Sequence, residues 1–112
     1  MVESVNLSGI DHSKVVDLRR VSEWMSYGVL KDSNLVTFES RAHVLSPLFL
    51  PKIRTLFAKN DTIFLMCGTG RRSKRAAELL AQNGYTAVKS IFGGASFQQK
   101  LGVKFETYCP KL

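Results

Sequence analysis

The chain is poor in cysteine: Cys67 and Cys109 are the whole complement, and no His/Cys cluster at ligand spacing accompanies them. That argues against a metal knuckle and against a miniature fold held by disulfides. No stretch approaches the roughly 18 consecutive apolar residues of a membrane span. The start, Met1-Val2-Glu3-Ser4-Val5-Asn6, lacks the basic segment and apolar run of an export signal. The expected location is the cytoplasm, where the reducing environment keeps both thiols free. No linker-like polar stretch and no internal repeat interrupts the 112 residues, so residues 1–112 are expected to form a single domain around one core. At 45% hydrophobic and 22% charged, the composition is that of a globular protein and not of a disordered one.

Also missing is any basic segment interleaved with aromatics, the pattern that stacks on nucleic-acid bases. The net charge is +7, which favours anionic partners, yet the Lys and Arg residues are scattered. The dense group is Arg71, Arg72, Lys74 and Arg75, and it suits a small anion better than a nucleic acid. Neither nucleic acid nor membrane is an expected partner.

What is present is an alternation of strand and helix patterns. Lys14-Val15-Val16-Asp17-Leu18-Arg19 reads as a first buried strand, and Val21 to Tyr27 as a short helix ended by Gly28. Leu35-Val36-Thr37-Phe38 reads as a second strand. Ser46-Pro47 has the form of a helix start, with Leu48, Phe49, Ile53, Leu56 and Phe57 along one face and Pro51 tolerable only in the first turn. Ile63-Phe64-Leu65-Met66 is an uninterrupted apolar run, as expected of a central strand covered on both faces. Arg72 to Asn83 sets Ala76, Ala77, Leu80 and Ala81 on one stripe, and Gly84 closes that helix. Val88-Lys89-Ser90-Ile91 predicts another strand, Gly93-Gly94 a turn, and Ser96 to Leu101 a last short helix. The pattern predicts an α/β fold, a mostly parallel central sheet with helices on both faces.

The chemistry is expected where Ile63–Met66 ends. Cys67 sits at the carboxyl end of that strand, where open α/β sheets place their ligand sites. Gly68 and Gly70 let the backbone of Gly68, Thr69, Gly70, Arg71 and Arg72 curl so that its N–H groups form an anion-binding nest at the start of the next helix. In such a place a thiol is expected to ionise below its usual value of about 8.5, making Cys67 a nucleophile. The plain alternative is a cysteine packed as a small buried hydrophobe; it requires strand, glycines, arginines and helix to coincide by chance.

Cys67-Gly68-Thr69-Gly70-Arg71-Arg72-Ser73 resembles the active-site loop of the rhodanese family, in which Cys is followed by two residues, Gly, one residue, Arg and Ser. Val15-Val16-Asp17-Leu18-Arg19 resembles that family's first strand with its Asp-x-Arg, Glu23-Trp24 its acidic-aromatic pair, and Ile91-Phe92-Gly93-Gly94 its late Gly-Gly turn. The likeness runs from about Val15 to Gly102, residues 15–102. It departs at Gly28-Val29-Leu30-Lys31-Asp32-Ser33, where many members have Gly-His-Ile-x-Gly-Ala, and at Phe97, where a tryptophan is common.

The resemblance implies a rhodanese-like fold and a single-domain sulfurtransferase in which Cys67 carries sulfane sulfur as a persulfide. The donor is a small anion such as thiosulfate; the acceptor is a thiol, cyanide or a sulfur-accepting protein; no cofactor or metal is needed. Cys67 is the catalytic residue, and Gly68, Thr69, Gly70, Arg71 and Arg72 bind substrate. Arg71 is suited to drawing in the anionic donor, its alternative being a solvated side chain. Arg72 is suited to bracing the loop or the helix start, Ser73 to a plain place in the first helical turn, its alternative being a bond to a loop carbonyl, and Asp17 and Arg19 to the scaffold. His12 and His43 read as surface residues, Cys109 as a tail residue, its alternative being to resolve the persulfide as a disulfide, and Trp24 as core. Two rival readings are a cysteine phosphatase or arsenate reductase, whose loops carry five residues between Cys and Arg where this chain has four, and a non-catalytic binding module or sulfur carrier of the same fold.

Overall fold

The computed structural model describes residues 3–110. Its elements are β1 (Ser4–Val5), a 3-10 turn (His12–Lys14), β2 (Val15–Asp17), α1 (Val21–Tyr27), β3 (Asn34–Leu35), α2 (Phe49–Leu56), β4 (Thr62–Met66), α3 (Arg71–Gln82), β5 (Ala87–Ile91) and α4 (Gly94–Lys100). The strands form one sheet in the order β1-β5-β4-β2-β3, and every pairing is parallel. This is the expected α/β architecture, with β4 at the centre.

Alternation along β4 divides the core into two layers. Ile63, Leu65 and Cys67 face α2 and α3, where they meet Phe49, Ile53, Ala76, Ala77 and Leu80. Phe64 and Met66 face the other way, toward Ile91, Ala95 of α4 and Phe105. An apolar run without polar interruption is what a strand covered on both sides requires. Emptying one of these positions, as in Ile63→Ala, costs about 2–5 kcal/mol.

Several boundaries differ from the sequence pattern, each for a local reason. β1 has only two residues, too few to produce a period, and had no counterpart among the predicted strands. β3 is shorter than Leu35–Phe38, although the Val36 and Phe38 N–H groups still donate to the Asp17 and Leu18 carbonyls at 3.0 and 3.1 Å. In α2, Phe49 and Ile53 are buried while Leu48 and Leu56 are exposed, so the apolar face is narrower than expected. Ser46 opens the turn before it, its carbonyl accepting from the Phe49 N–H at 3.1 Å, and Pro51 falls in the first turn, where no N–H bond is lost. On α3, Ala81 is exposed and Ser73 is buried, so the buried stripe starts one turn earlier. α4 begins at Gly94 and not at Ser96.

Register fixes where the site lies. Asp17 pairs with Met66 and Leu65 with Ser90. The segments leaving β2, β4 and β5 therefore emerge side by side at the carboxyl end of the sheet.

Candidate active site

Cys67 leaves β4 into a tight turn that becomes α3. Gly70, at the helix N-cap, has φ +104°, a conformation costing an ordinary residue roughly 1–2 kcal/mol. Its N–H donates to Cys67 Sγ at 3.0 Å. The Ser73 hydroxyl closes the turn from below, donating to the Gly70 carbonyl at 2.9 Å and meeting the Ser90 hydroxyl at 2.6 Å. Of the two expected places for Ser73, the structure shows the bond to a loop carbonyl.

A second element pins the loop from the opposite side. The N–H groups of Ala95 and Ser96, at the start of α4, donate to the carbonyls of Cys67 and Gly68 at 2.7 and 3.1 Å. In a trans peptide the carbonyl and the N–H point in opposite directions, so the Gly68 and Thr69 N–H groups are turned away from α4. Gly94 makes the approach possible. It has φ +68°, and a Cβ there would lie 2.5 Å from the Cys67 carbonyl oxygen.

Arg72 is held by Glu23 of α1 in a bidentate pair, Nη1 to Oε1 at 2.6 Å and Nη2 to Oε2 at 2.8 Å. Glu23 also accepts from the Arg20 N–H at 3.1 Å. Burial would raise the Glu23 carboxyl, but the Arg72 guanidinium and the Arg20 N–H outweigh it and hold the group below the usual carboxylate range. Glu23, and more weakly Cys67 and Glu39, keep Arg72 protonated in turn. Gly68 leaves room for this pair, since a Cβ there would sit 2.9 Å from Arg72 Nη2. Arg71, next in the chain, is exposed and forms no ion pair or hydrogen bond with the described residues.

Farther out, Arg75 bridges to the carboxylate of Glu39 through both terminal nitrogens, and the Glu39 side chain is wholly buried. Burial again acts against the charge, and Arg75 with His43 more than offsets it, so Glu39 too is held below the usual range. Asp17 and Arg19 form the expected structural pair, with Nε to Oδ1 at 3.0 Å and Nη2 to Oδ2 at 2.9 Å. Arg19 Nη2 also donates to the Gly28 carbonyl at 2.8 Å.

Thr69, at the loop tip, separates two cavities. One, about 280 Å³, is lined by Gly70, Arg71, Lys74 and Phe92. The other, about 370 Å³, is lined by Arg19, Tyr27, Ser96 and Gln99. The structure thus gathers Cys67, Gly68, Thr69, Gly70, Arg71 and Arg72 on one short turn. Arg72 faces Glu23, while Arg71 faces solvent. His43 is exposed and reaches Glu39 at 3.4 Å; His12 is half-buried against the Lys31 carbonyl at 3.2 Å. Cys109 is an exposed free thiol. Sequence reasoning missed the Glu23–Arg72 pair and the contact of Gly94 with the loop.

The family model described as "Rhodanese-like domain" matches residues 4–96. The chain belongs to the rhodanese-like family. A chloroplastic protein of Arabidopsis thaliana, thiosulfate sulfurtransferase 16, is 38% identical over 58 residues, 52% of this chain and 48% of that protein. The chain thus spans about half the length of that curated relative. Among solved structures, Rv0390 from M. tuberculosis superposes with a TM-score of 0.73 at 21% identity, covering 91% of this chain and 89% of that one. A protein from Rhodopseudomonas palustris, described as a possible tyrosine phosphatase, gives 0.68 at 22% identity, covering 94% and 85%. At these identities the structures establish the rhodanese-like fold and no more. No helix among the described residues is long and apolar enough to cross a membrane.

Proposed function

We propose that this chain is a single-domain sulfurtransferase that moves sulfane sulfur from thiosulfate or a persulfide donor to a thiol or cyanide through a persulfide on Cys67. The observation that carries the reading is the Gly70 N–H placed 3.0 Å from Cys67 Sγ on a loop whose carbonyls are tied to α4. A sulfur anion is favoured by such fixed donors and by the helix end. The Cys67 thiolate attacks the outer sulfur of thiosulfate, sulfite departs with the electron pair of the broken S–S bond, and Cys–S–S⁻ is left. An acceptor then attacks that outer sulfur and Cys67 leaves as thiolate. Cys67 is 1% exposed, and the persulfide places its outer sulfur about 2 Å beyond Sγ, which suits hand-over from a sheltered cysteine. Arg71 serves to attract the donor; Arg72 braces the loop through Glu23. The reaction runs in a reducing compartment such as the cytosol.

The phosphatase reading is kept in view by the description of the Rhodopseudomonas palustris structure. Against it stands the loop: a phosphatase arginine grips two oxygens of its oxyanion, whereas Arg72 is engaged by Glu23 and the next residue, Ser73, bonds inward to Gly70 and Ser90.

Thiocyanate release from thiosulfate and cyanide, measured beside hydrolysis of an aryl phosphate, separates these possibilities. Thiocyanate turnover that vanishes in Cys67→Ser supports the proposal. Phosphate release dependent on Cys67 with no thiocyanate would favour the phosphatase, and neither product would favour a non-catalytic module or a dedicated carrier.

A further inference from the structure

Sulfur transfer through a persulfide has two substrates, and the loop has two cavities that share Thr69. They differ in chemistry. The Gly70 side carries Arg71 and Lys74, both exposed, and offers open cationic surface to a small anion. The side between α1 and α4 is about 370 Å³, room for an organic molecule of tripeptide size. Its wall includes Arg19, which is 1% exposed. Arg19 Nε and Nη2 are occupied by Asp17 and Gly28, but its Nη1 forms no hydrogen bond with the described residues. The two guanidinium groups that line the cleft, Arg19 and Arg72, are paired with Asp17 and Glu23, so Arg19 Nη1 is the cationic donor left for a carboxylate. Gln99 and Tyr27 form the rim, held together by the Gln99 Nε2 bond to the Tyr27 carbonyl at 3.0 Å.

Resting on the sulfurtransferase reading, we propose that the cleft between α1 and α4 is a separate acceptor subsite that holds the organic body of a small, carboxylate-bearing thiol. Its carboxylate meets Arg19 Nη1, its backbone lies along Ser96 and Gln99, and its sulfur passes Thr69 toward the persulfide. There the acceptor thiolate attacks the outer sulfur, the Cys67 S–S bond breaks, Cys67 keeps the bonding pair as thiolate, and the acceptor leaves as R–S–S⁻. No oxidant or reductant enters. Cyanide, with two heavy atoms, needs none of these contacts.

The consequence is selectivity by size. Ser96 is exposed on α4, so Ser96→Phe fills the cleft without entering the core, and Tyr27→Ala removes the rim at a position 64% exposed. With glutathione as the probe thiol, the ratio of kcat/KM for glutathione to that for cyanide is expected to fall about tenfold in Ser96→Phe and about threefold in Tyr27→Ala, roughly 1.4 and 0.6 kcal/mol of lost selectivity. A ratio unchanged in both variants overturns the subsite. A second measurement does not depend on turnover: S-methylglutathione, an unreactive thioether, is titrated into wild-type protein while amide signals are followed by NMR. Shifts at the Gln99 side-chain amide and Ser96, lost in Ser96→Phe, support the subsite even if Cys67 forms no persulfide, in which case the sulfurtransferase reading alone has failed. Absence of shifts there, or shifts centred elsewhere, contradicts it.

Discussion

Arg71 and Arg72 are neighbours in sequence and opposites in structure. Successive residues on a helix point about 100° apart, so at the start of α3 one side chain turns to α1 and the other to solvent. On the Arg72 side the loop is tied: Glu23 holds the guanidinium, and α4 holds the Cys67 and Gly68 carbonyls. On the Arg71 side nothing is tied, and Lys74 and Phe92 leave a shallow, positively charged approach. The contrast shows how a seven-residue turn can be held firmly and still have an open side: one flank supplies position, the other leaves cationic surface exposed to solvent.

The largest effect is expected from breaking the tied flank at its closest contact. In Gly94→Ala a Cβ would lie 2.5 Å from the Cys67 carbonyl oxygen at a φ of +68°. The loop has to move, and misplacement on the order of 1 Å costs a reaction about 100-fold; single-turnover sulfur transfer should fall by about that factor, beyond any loss of stability. Next comes Arg72→Ala, which leaves the Glu23 carboxylate half-buried without its main partner. Destabilisation of about 1–3 kcal/mol is expected, read from the urea midpoint.

Acid titrates the same flank. Glu23 and Glu39 are both held below their ordinary value of 4.5, so the unfolded chain takes up protons before the native one does. The stability they contribute is complete above that value and is lost as pH falls through the lower folded values. Urea midpoints should be level near pH 6 and drop below about pH 4.5, and Glu23→Gln should flatten part of that drop. The smallest effect belongs to the open flank. Arg71→Ala should leave stability within about 0.5 kcal/mol while raising the KM for thiosulfate about two- to fivefold, a difference that shrinks as salt is added.

The tied and open flanks were not equally legible in the sequence. The loop's place was: two glycines, two arginines and a serine after an apolar strand mark a turn into a helix, and α3 starts at Arg71 directly after it. The partners that fix it were not. Glu23 and Arg72 are 49 positions apart, and Gly94 meets Cys67 across the sheet. Neither relation has a local signal, because chain topology creates both. The fold class followed from the strand and helix periods, while β1, two residues long, had no period to read. Ala81 obeys the helical period yet is exposed, since the neighbours that cover a stripe determine where burial ends.

The most direct test of Cys67 as sulfur carrier is the intact mass of the protein after brief exposure to thiosulfate, for wild type and Cys67→Ser. The expected result is a gain of one sulfur atom in the wild type alone, discharged by cyanide or a thiol. No gain in the wild type, or an equal gain in Cys67→Ser, would contradict it.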